Sequence, residues 1–249
     1  MTDNEKKTKT IPIYRHVSAE NREFEMAISG PDAEIISKHI ENHLGQIDSV
    51  YHEIISDLIH IDINYIKPSD KFPFHIFVTS GMSDRPMNVP KGLEEHSFAE
   101  VYVLLPRDWP VPNEKFSIVE ESFKNENNYW PIRWLKIIAR FPHEFNTWIG
   151  WGHSIPNGEE AAPFAENTLF GCMLLMPAIS LPFEFFELKI NANKTVKFFC
   201  LYPLYKEEMD YRINKGTDDL LAKFDKYKIR DIIDITRPNT CIKRPFWKF

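Results

Sequence analysis

Apolar positions follow a helical rhythm first. Ile35, Ile36, His39, Ile40 and Leu44 recur at three- and four-residue spacing, predicting an amphipathic helix over Asp32–Leu44. Pro31 precedes it, Asp32 and Glu34 suit its positive end, and Gly45 stops it. The period then shortens to two. Ser49–Ser56 and Leu58–Ile66 are rich in β-branched and aromatic residues. The strict alternation Ile59-His60-Ile61-Asp62-Ile63-Asn64-Tyr65 predicts a half-buried strand. Phe74–Ser80 and Ala99–Leu105 predict two more, with Gly81 and Pro86 in the loop between and Pro106 as a stop.

The middle of the chain differs. The polar stretch Asn113–Asn128 can begin a helix. Pro131–Phe141 reads as a helix with Ile132, Leu135, Ile138 and Ala139 inward, and Pro142 opens a fresh helical turn across His143–Trp148. Gly150 and Gly152 break it, and Ser154–Ala165 reads as a loop held by Pro156 and Pro163. Phe170–Met176, Phe183–Ile190 and Thr195–Tyr202 form a second group of strands, with Asn191–Lys194 as a turn. Leu204–Asn214 and Thr217–Tyr227 read as helices, Thr217 as the N-cap of the second. Residues 237–249 look like an irregular basic tail. Strands in two groups, with helices before, between and after, predict an α+β fold with a mostly antiparallel or mixed sheet. Strand–helix alternation is missing, which excludes a doubly wound parallel sheet.

Composition narrows the function. A length of 249 residues suits one large domain, and 43% hydrophobic with 27% charged residues excludes a disordered chain. Only nine glycines occur, with no GxxxxGK[ST], GxGxxG or GxSxG pattern. Phosphate-cradling loops and nucleophile elbows are thereby excluded. No apolar run reaches the eighteen residues or so of a membrane span, and the polar start Met1–Thr10 lacks a secretory signal's apolar core. Cys172, Cys200 and Cys241 lie far apart without a CxxC, so a reducing, cytoplasmic setting is expected, with Cys172 and Cys200 buried in apolar runs.

Net charge is −6, unevenly spread: residues 18–126 hold 20 Asp/Glu against 9 Lys/Arg, a net of −11. Such an acidic half argues against direct nucleic-acid binding and permits a basic protein partner. Glu94, Glu95, Glu120 and Glu121 are the acids expected to meet it.

Candidate chemistry is sparse. His143-Glu144 lacks a zincin's second histidine, because Thr147 stands there, although His153 could approach in space. His60 and His75 lie on strands and read as hydrogen-bonded residues rather than catalysts. No catalytic residue, cofactor or metal is expected. The densest feature is Tyr129–Asn167, which holds Trp130, Trp134, Trp148 and Trp151, four of the six tryptophans. It suits a packed aromatic corner that displays a fixed loop.

The run Trp148-Ile149-Gly150-Trp151-Gly152-His153-Ser154-Ile155-Pro156-Asn157-Gly158, followed by Pro163-Phe164-Ala165-Glu166-Asn167-Thr168, resembles the signature of the suppressor of fused (SUFU-like) domain family. Tyr102–Pro106, Trp130-Pro131 and Leu201–Met209 are similar as well. The resemblance implies one SUFU-like domain over residues 15–240, between a flexible tail at 1–14 and a basic tail at 241–249. Animal members carry a second domain and hold a transcription-factor peptide between the two as an added strand. Stand-alone bacterial members look like immunity proteins, or antitoxins. The resemblance therefore implies a non-catalytic protein that binds a cognate toxin, such as a basic nuclease, with strand-adding regulatory scaffold as the alternative. From charge and hydropathy, neither direct nucleic-acid nor membrane binding is expected.

Overall fold

The computed structural model describes residues 11–16, 23–53, 55–111 and 125–242. The expected helix start at Asn113 and the acids Glu120 and Glu121 lie outside the described residues.

The strands are β1 (Ser49–Tyr51), β2 (Asp62–Ile66), β3 (Phe74–Ser80), β4 (Phe98–Pro106), β5 (Ser154–Pro156), β6 (Phe170–Met176), β7 (Glu187–Asn191) and β8 (Lys194–Tyr205). They form one sheet in the order β1-β2-β3-β4-β8-β6-β5, with β7 also on β8. β4 and β8 pair in parallel, Tyr102 opposite Cys200, while the other strand pairs are antiparallel. The long β8 joins the halves: its start lies between β4 and β7, and its end pairs with β6.

Among the described residues, four helices cover the sheet: α1 (Ala33–Leu44), α2 (Glu126–Glu144), α3 (Lys206–Lys215) and α4 (Thr217–Tyr227). Each face carries its own core. On one, Trp130, Trp134, Leu135 and Ile138 of α2 pack on Ile63, Phe77, Val101 and Leu201. On the other, Ile36 and Ile40 of α1, Met209 of α3 and Phe224 of α4 pack on Ile76, Leu104, Leu174 and Leu204. Burial from both sides corrects the half-buried strand expected at Leu58–Ile66. The regular strand begins at Asp62, and Asp62 and Asn64 are buried along with Ile61 and Ile63. Asn64 answers its burial by donating Nδ2 to Ser80 Oγ at 3.1 Å.

Other boundaries move for local reasons. The expected strand Ser49–Ser56 ends at Tyr51, where pairing with β2 stops. Pro142 does not restart a helix: α2 runs 19 residues through both Pro131 and Pro142. Pro131 cannot donate to the carbonyl of Asn127, four residues earlier. Asn167 takes that carbonyl through Nδ2 at 2.9 Å, and its backbone N–H bonds Asn127 Oδ1 at 3.1 Å. Asn167→Ala should therefore fray the start of α2 and cost about 1 kcal/mol, read as a shift in urea midpoint. An unchanged midpoint would mean that water serves Asn127 equally well.

Within the expected loop Ser154–Ala165, β5 pairs with β6. The strand expected at Phe183–Ile190 opens with a 3-10 turn, Phe183–Phe186, before β7. Leu204 and Tyr205 belong to β8 rather than to a helix. Thr217 is the first residue of α4, not its cap; Gly216, at φ +106°, precedes it.

Candidate partner-binding surface

The signature segment is built into the fold. Buried Arg212 of α3 donates to the Gly152 carbonyl, to Ser154 Oγ at 2.8 Å and to Thr217 Oγ1 at 3.2 Å. Gly152 N–H bonds the Leu175 carbonyl at 2.8 Å, and Leu175 N–H bonds the His153 carbonyl at 2.9 Å. Trp148 packs edge-on against His153, ring centres 4.4 Å apart, and Gly150 is tight under Trp148, since a Cβ there would meet its ring at 3.0 Å. Pro156 ends β5 opposite Cys172. Asn157 closes the next turn, donating Nδ2 to the carbonyls of Ala162 at 2.9 Å and Pro163 at 3.2 Å, with Gly158 at φ +71° inside it. Phe164 stacks on Trp130 and packs on Trp134. Both indole N–H groups are buried without an acceptor among the described residues, so these rings contribute mainly volume. Only Trp151 among the signature tryptophans is broadly exposed, at 53%.

The candidate catalytic histidines are engaged in packing. His143 donates Nε2 to the Met82 carbonyl at 2.9 Å, and burial lowers its pKa. His153 faces Trp148, its pKa lowered by burial and by Arg212. Burial pushes the Cys172 thiol up to about 12 and raises Cys200 as well, which makes both poor nucleophiles near neutral pH. His75 lies between Tyr65 Oη at 2.8 Å and the Arg107 carbonyl at 3.1 Å.

Glu94 and Glu95 are exposed on a 3-10 turn, Glu94–His96. Part of the remaining acidic excess is turned inward, although Glu34, Glu41, Asp70 and Asp108 are exposed as well. Asp32 pairs with Lys194 at 2.7 Å, Asp48 with Lys67 at 2.6 Å, and Glu53 with Arg140. Glu100 is fully buried; burial raises its pKa, while Thr79, Gly81 and Ser83 all donate to it. The outward acidic face is thus narrower than the sequence count suggests.

Two surface features were not read from the sequence. One is an apolar stripe. The extended segment 23–28 lies beside residues 56–58, with Ala27 N–H on the Ser56 carbonyl at 3.1 Å and Leu58 N–H on the Glu25 carbonyl at 2.9 Å. Its alternate residues Phe24, Met26 and Ile28 are 61–79% exposed, and Ile55, preceding Ser56, is 75% exposed. Alternation at 24, 26 and 28 was its sequence signal. The other is a cleft of about 690 Å³ between the end of β4, the start of α2 and segment 227–238. Trp109, Asn128, Asn167 and Thr236 are among its walls. These residues are far apart in sequence, so no local pattern announces it.

The back wall of the cleft corrects the expected tail. Ile233 N–H bonds the Leu104 carbonyl at 2.9 Å, extending the sheet beside β4. Arg237 is buried, not a solvated tail cation, and grips wholly buried Glu208 with two bonds of 2.8 and 2.6 Å.

A two-faced mixed sheet with this signature corner defines a suppressor of fused-type α+β domain. The sequence profile of the suppressor of fused protein (SUFU) matches residues 57–238, and the chain belongs to that family. A SUFU homologue from Neisseria gonorrhoeae FA 1090 superposes on 85% of this chain and 98% of its own, at 17% identity and TM-score 0.57. A chain of the Sufu–Fu complex aligns over 86% of this one and 93% of its own, at 12% identity and TM-score 0.58. Drosophila Suppressor of Fused aligns over 89% of this chain, at 14% identity and TM-score 0.53. This chain spans only 54% of that protein's chain. No curated protein sequence matches this one. Among the described residues, no helix is long and apolar enough to cross a membrane.

Proposed function

We propose that this chain is a non-catalytic immunity protein that binds and neutralises a basic toxin in the cytoplasm. The observation that carries the reading is the exposed stripe of Phe24, Met26, Ile28 and Ile55. Contiguous apolar side chains left in solvent mark interaction surfaces. Glu94 and Glu95, also exposed, offer charge that can speed association with a basic partner. The packing roles of His143, His153 and the cysteines agree with binding rather than catalysis.

A second reading has its own observation. Among the described residues β7 has β8 as its one strand partner, so its other edge has backbone groups that an added strand could pair. A regulatory scaffold would take a peptide there.

The test is capture of the partner from source cells with tagged protein, followed by assay of the partner's toxicity. Immunity predicts a stoichiometric basic partner, inhibited by the wild type and not by the Met26→Asp/Ile28→Asp variant. Glu94→Lys/Glu95→Lys should slow association and flatten its salt dependence. A captured partner without toxic activity overturns immunity. Binding indifferent to both variants favours the edge-strand scaffold.

A further inference from the structure

We infer that His52, His60 and Asp62 form a site for a divalent transition metal of the zinc class. This site stands independently of the immunity reading. The sheet register brings the three together. Tyr51 pairs with Ile63, so His52 follows at the position opposite Asp62. His60 is two residues before Asp62 and shares its side of the extended chain. The donor atoms all lie within 4.8 Å of one another. His60 Nε2 is 2.9 Å from Asp62 Oδ1, and His52 Nδ1 is 3.1 Å from Asp62 Oδ2. A tetrahedral ion about 2.0–2.2 Å from nitrogen and oxygen ligands spaces them about 3.3–3.6 Å apart, so these donors need to part by only a few tenths of an ångström to take one.

The hydrogen-bond network behind His60 points the same way. Ser56 Oγ lies 2.8 Å from His60 Nδ1 and 2.8 Å from Glu53 Oε2. Glu53 pairs with Arg140, and its carboxylate can only accept. The single Ser56 hydroxyl proton therefore goes to Glu53, and His60 Nδ1–H donates to Ser56. This fixes the tautomer, leaving the Nε2 lone pair facing a carboxylate oxygen. Two acceptors oppose each other at 2.9 Å, and a cation between them relieves the conflict. The chain Arg140–Glu53–Ser56–His60 is the kind of outer support that orients a metal-bound imidazole. Buried Asp62 anchors the site, and exposed His52 leaves water access for a fourth ligand. An ion here would tie the edge strand β1 to the loop that carries Ile55.

The competing explanation is a proton: an imidazolium at His60 salt-bridged to Asp62. Full-length protein, stripped with chelator and desalted, should take up one equivalent of Zn²⁺ against a chromophoric competitor. Co²⁺ should give the intense visible absorption of a four-coordinate site. Exposed His52→Ala should keep its circular dichroism yet bind at least about tenfold more weakly, and Ser56→Ala should lose about 10–100-fold through the outer support. Zn²⁺ should raise the melting temperature of the wild type and not that of His52→Ala. His96→Ala, outside the site, should bind like the wild type. Absence of stoichiometric binding overturns the proposal in favour of the protonated pair. Binding unchanged in His52→Ala overturns it in favour of adventitious surface histidines.

Discussion

Arg237→Ala should destabilise the fold by about 3–5 kcal/mol, the usual loss when one partner of a buried ion pair is removed. Glu208 is wholly buried, and Arg237 meets its two oxygens at 2.8 and 2.6 Å. The guanidinium also lies over Phe170 at 4.7 Å and Tyr205 at 4.9 Å, and donates to the Pro203 carbonyl at 2.8 Å. After truncation Glu208 keeps donors from Tyr205 and Thr240 but no counter-charge. The penalty arises from the stranded carboxylate, so Arg237→Ala/Glu208→Gln should be milder than Arg237→Ala alone. Urea unfolding of the single and double variants gives the comparison. A single-variant loss below about 1 kcal/mol would show that water reaches Glu208 readily. Because segment 227–238 walls the cleft, the single variant should also increase hydrogen exchange at Ile233.

Gly171→Ala should cost about 3 kcal/mol, at the upper end of overpacking effects. Gly171 lies in β6 beneath the signature loop. An added Cβ would sit 1.9 Å from the Ala161 carbonyl oxygen and 2.8 Å from that of Ala162. Both obstacles are backbone, so no side-chain rotation relieves them. The loop has little slack, because Ala161 already has φ +48° and Asn157 N–H bonds the Gly171 carbonyl at 2.7 Å. Gly158→Ala in the same loop is the control. Its φ is +71°, but nothing lies within 4 Å of its Cβ position. It should cost only about 1–2 kcal/mol, the left-handed backbone strain alone. Equal melting temperatures for the two variants would mean that the loop yields to Gly171→Ala at no more than that cost.

Element types were readable where local chemistry dominates. α1 follows from the spacing of Ile36, Ile40 and Leu44, and β3 and β6 keep the bounds their apolar runs predicted. Misreadings occur where a distant group overrides a local rule. Pro131 and Pro142 suggested a short helix and a restart. Asn167 takes the carbonyl freed by Pro131, 40 residues away, and α2 continues through both prolines. Alternation around Asp62 suggested a solvent-facing side; instead Ile66 on that side joins the core under α1, and Ser29 reaches Asp62.

The candidate surface was legible only in part. The signature residues were visible as a motif, but their work, clamped by Arg212 and Asn157, depends on contacts across the sheet. The acidic count could not separate inward acids such as Glu53 and Glu100 from exposed Glu94 and Glu95. The sequence by itself determined the α+β class, the two strand groups and the family signature, because hydrophobic period and motif are local properties. The tertiary structure alone decided that Arg237 is a buried counter-ion, that His52 and His60 converge on Asp62, and that Phe24, Met26 and Ile28 face solvent. Pairing register and charge burial arise between segments distant in the chain, where no sequence period carries the information.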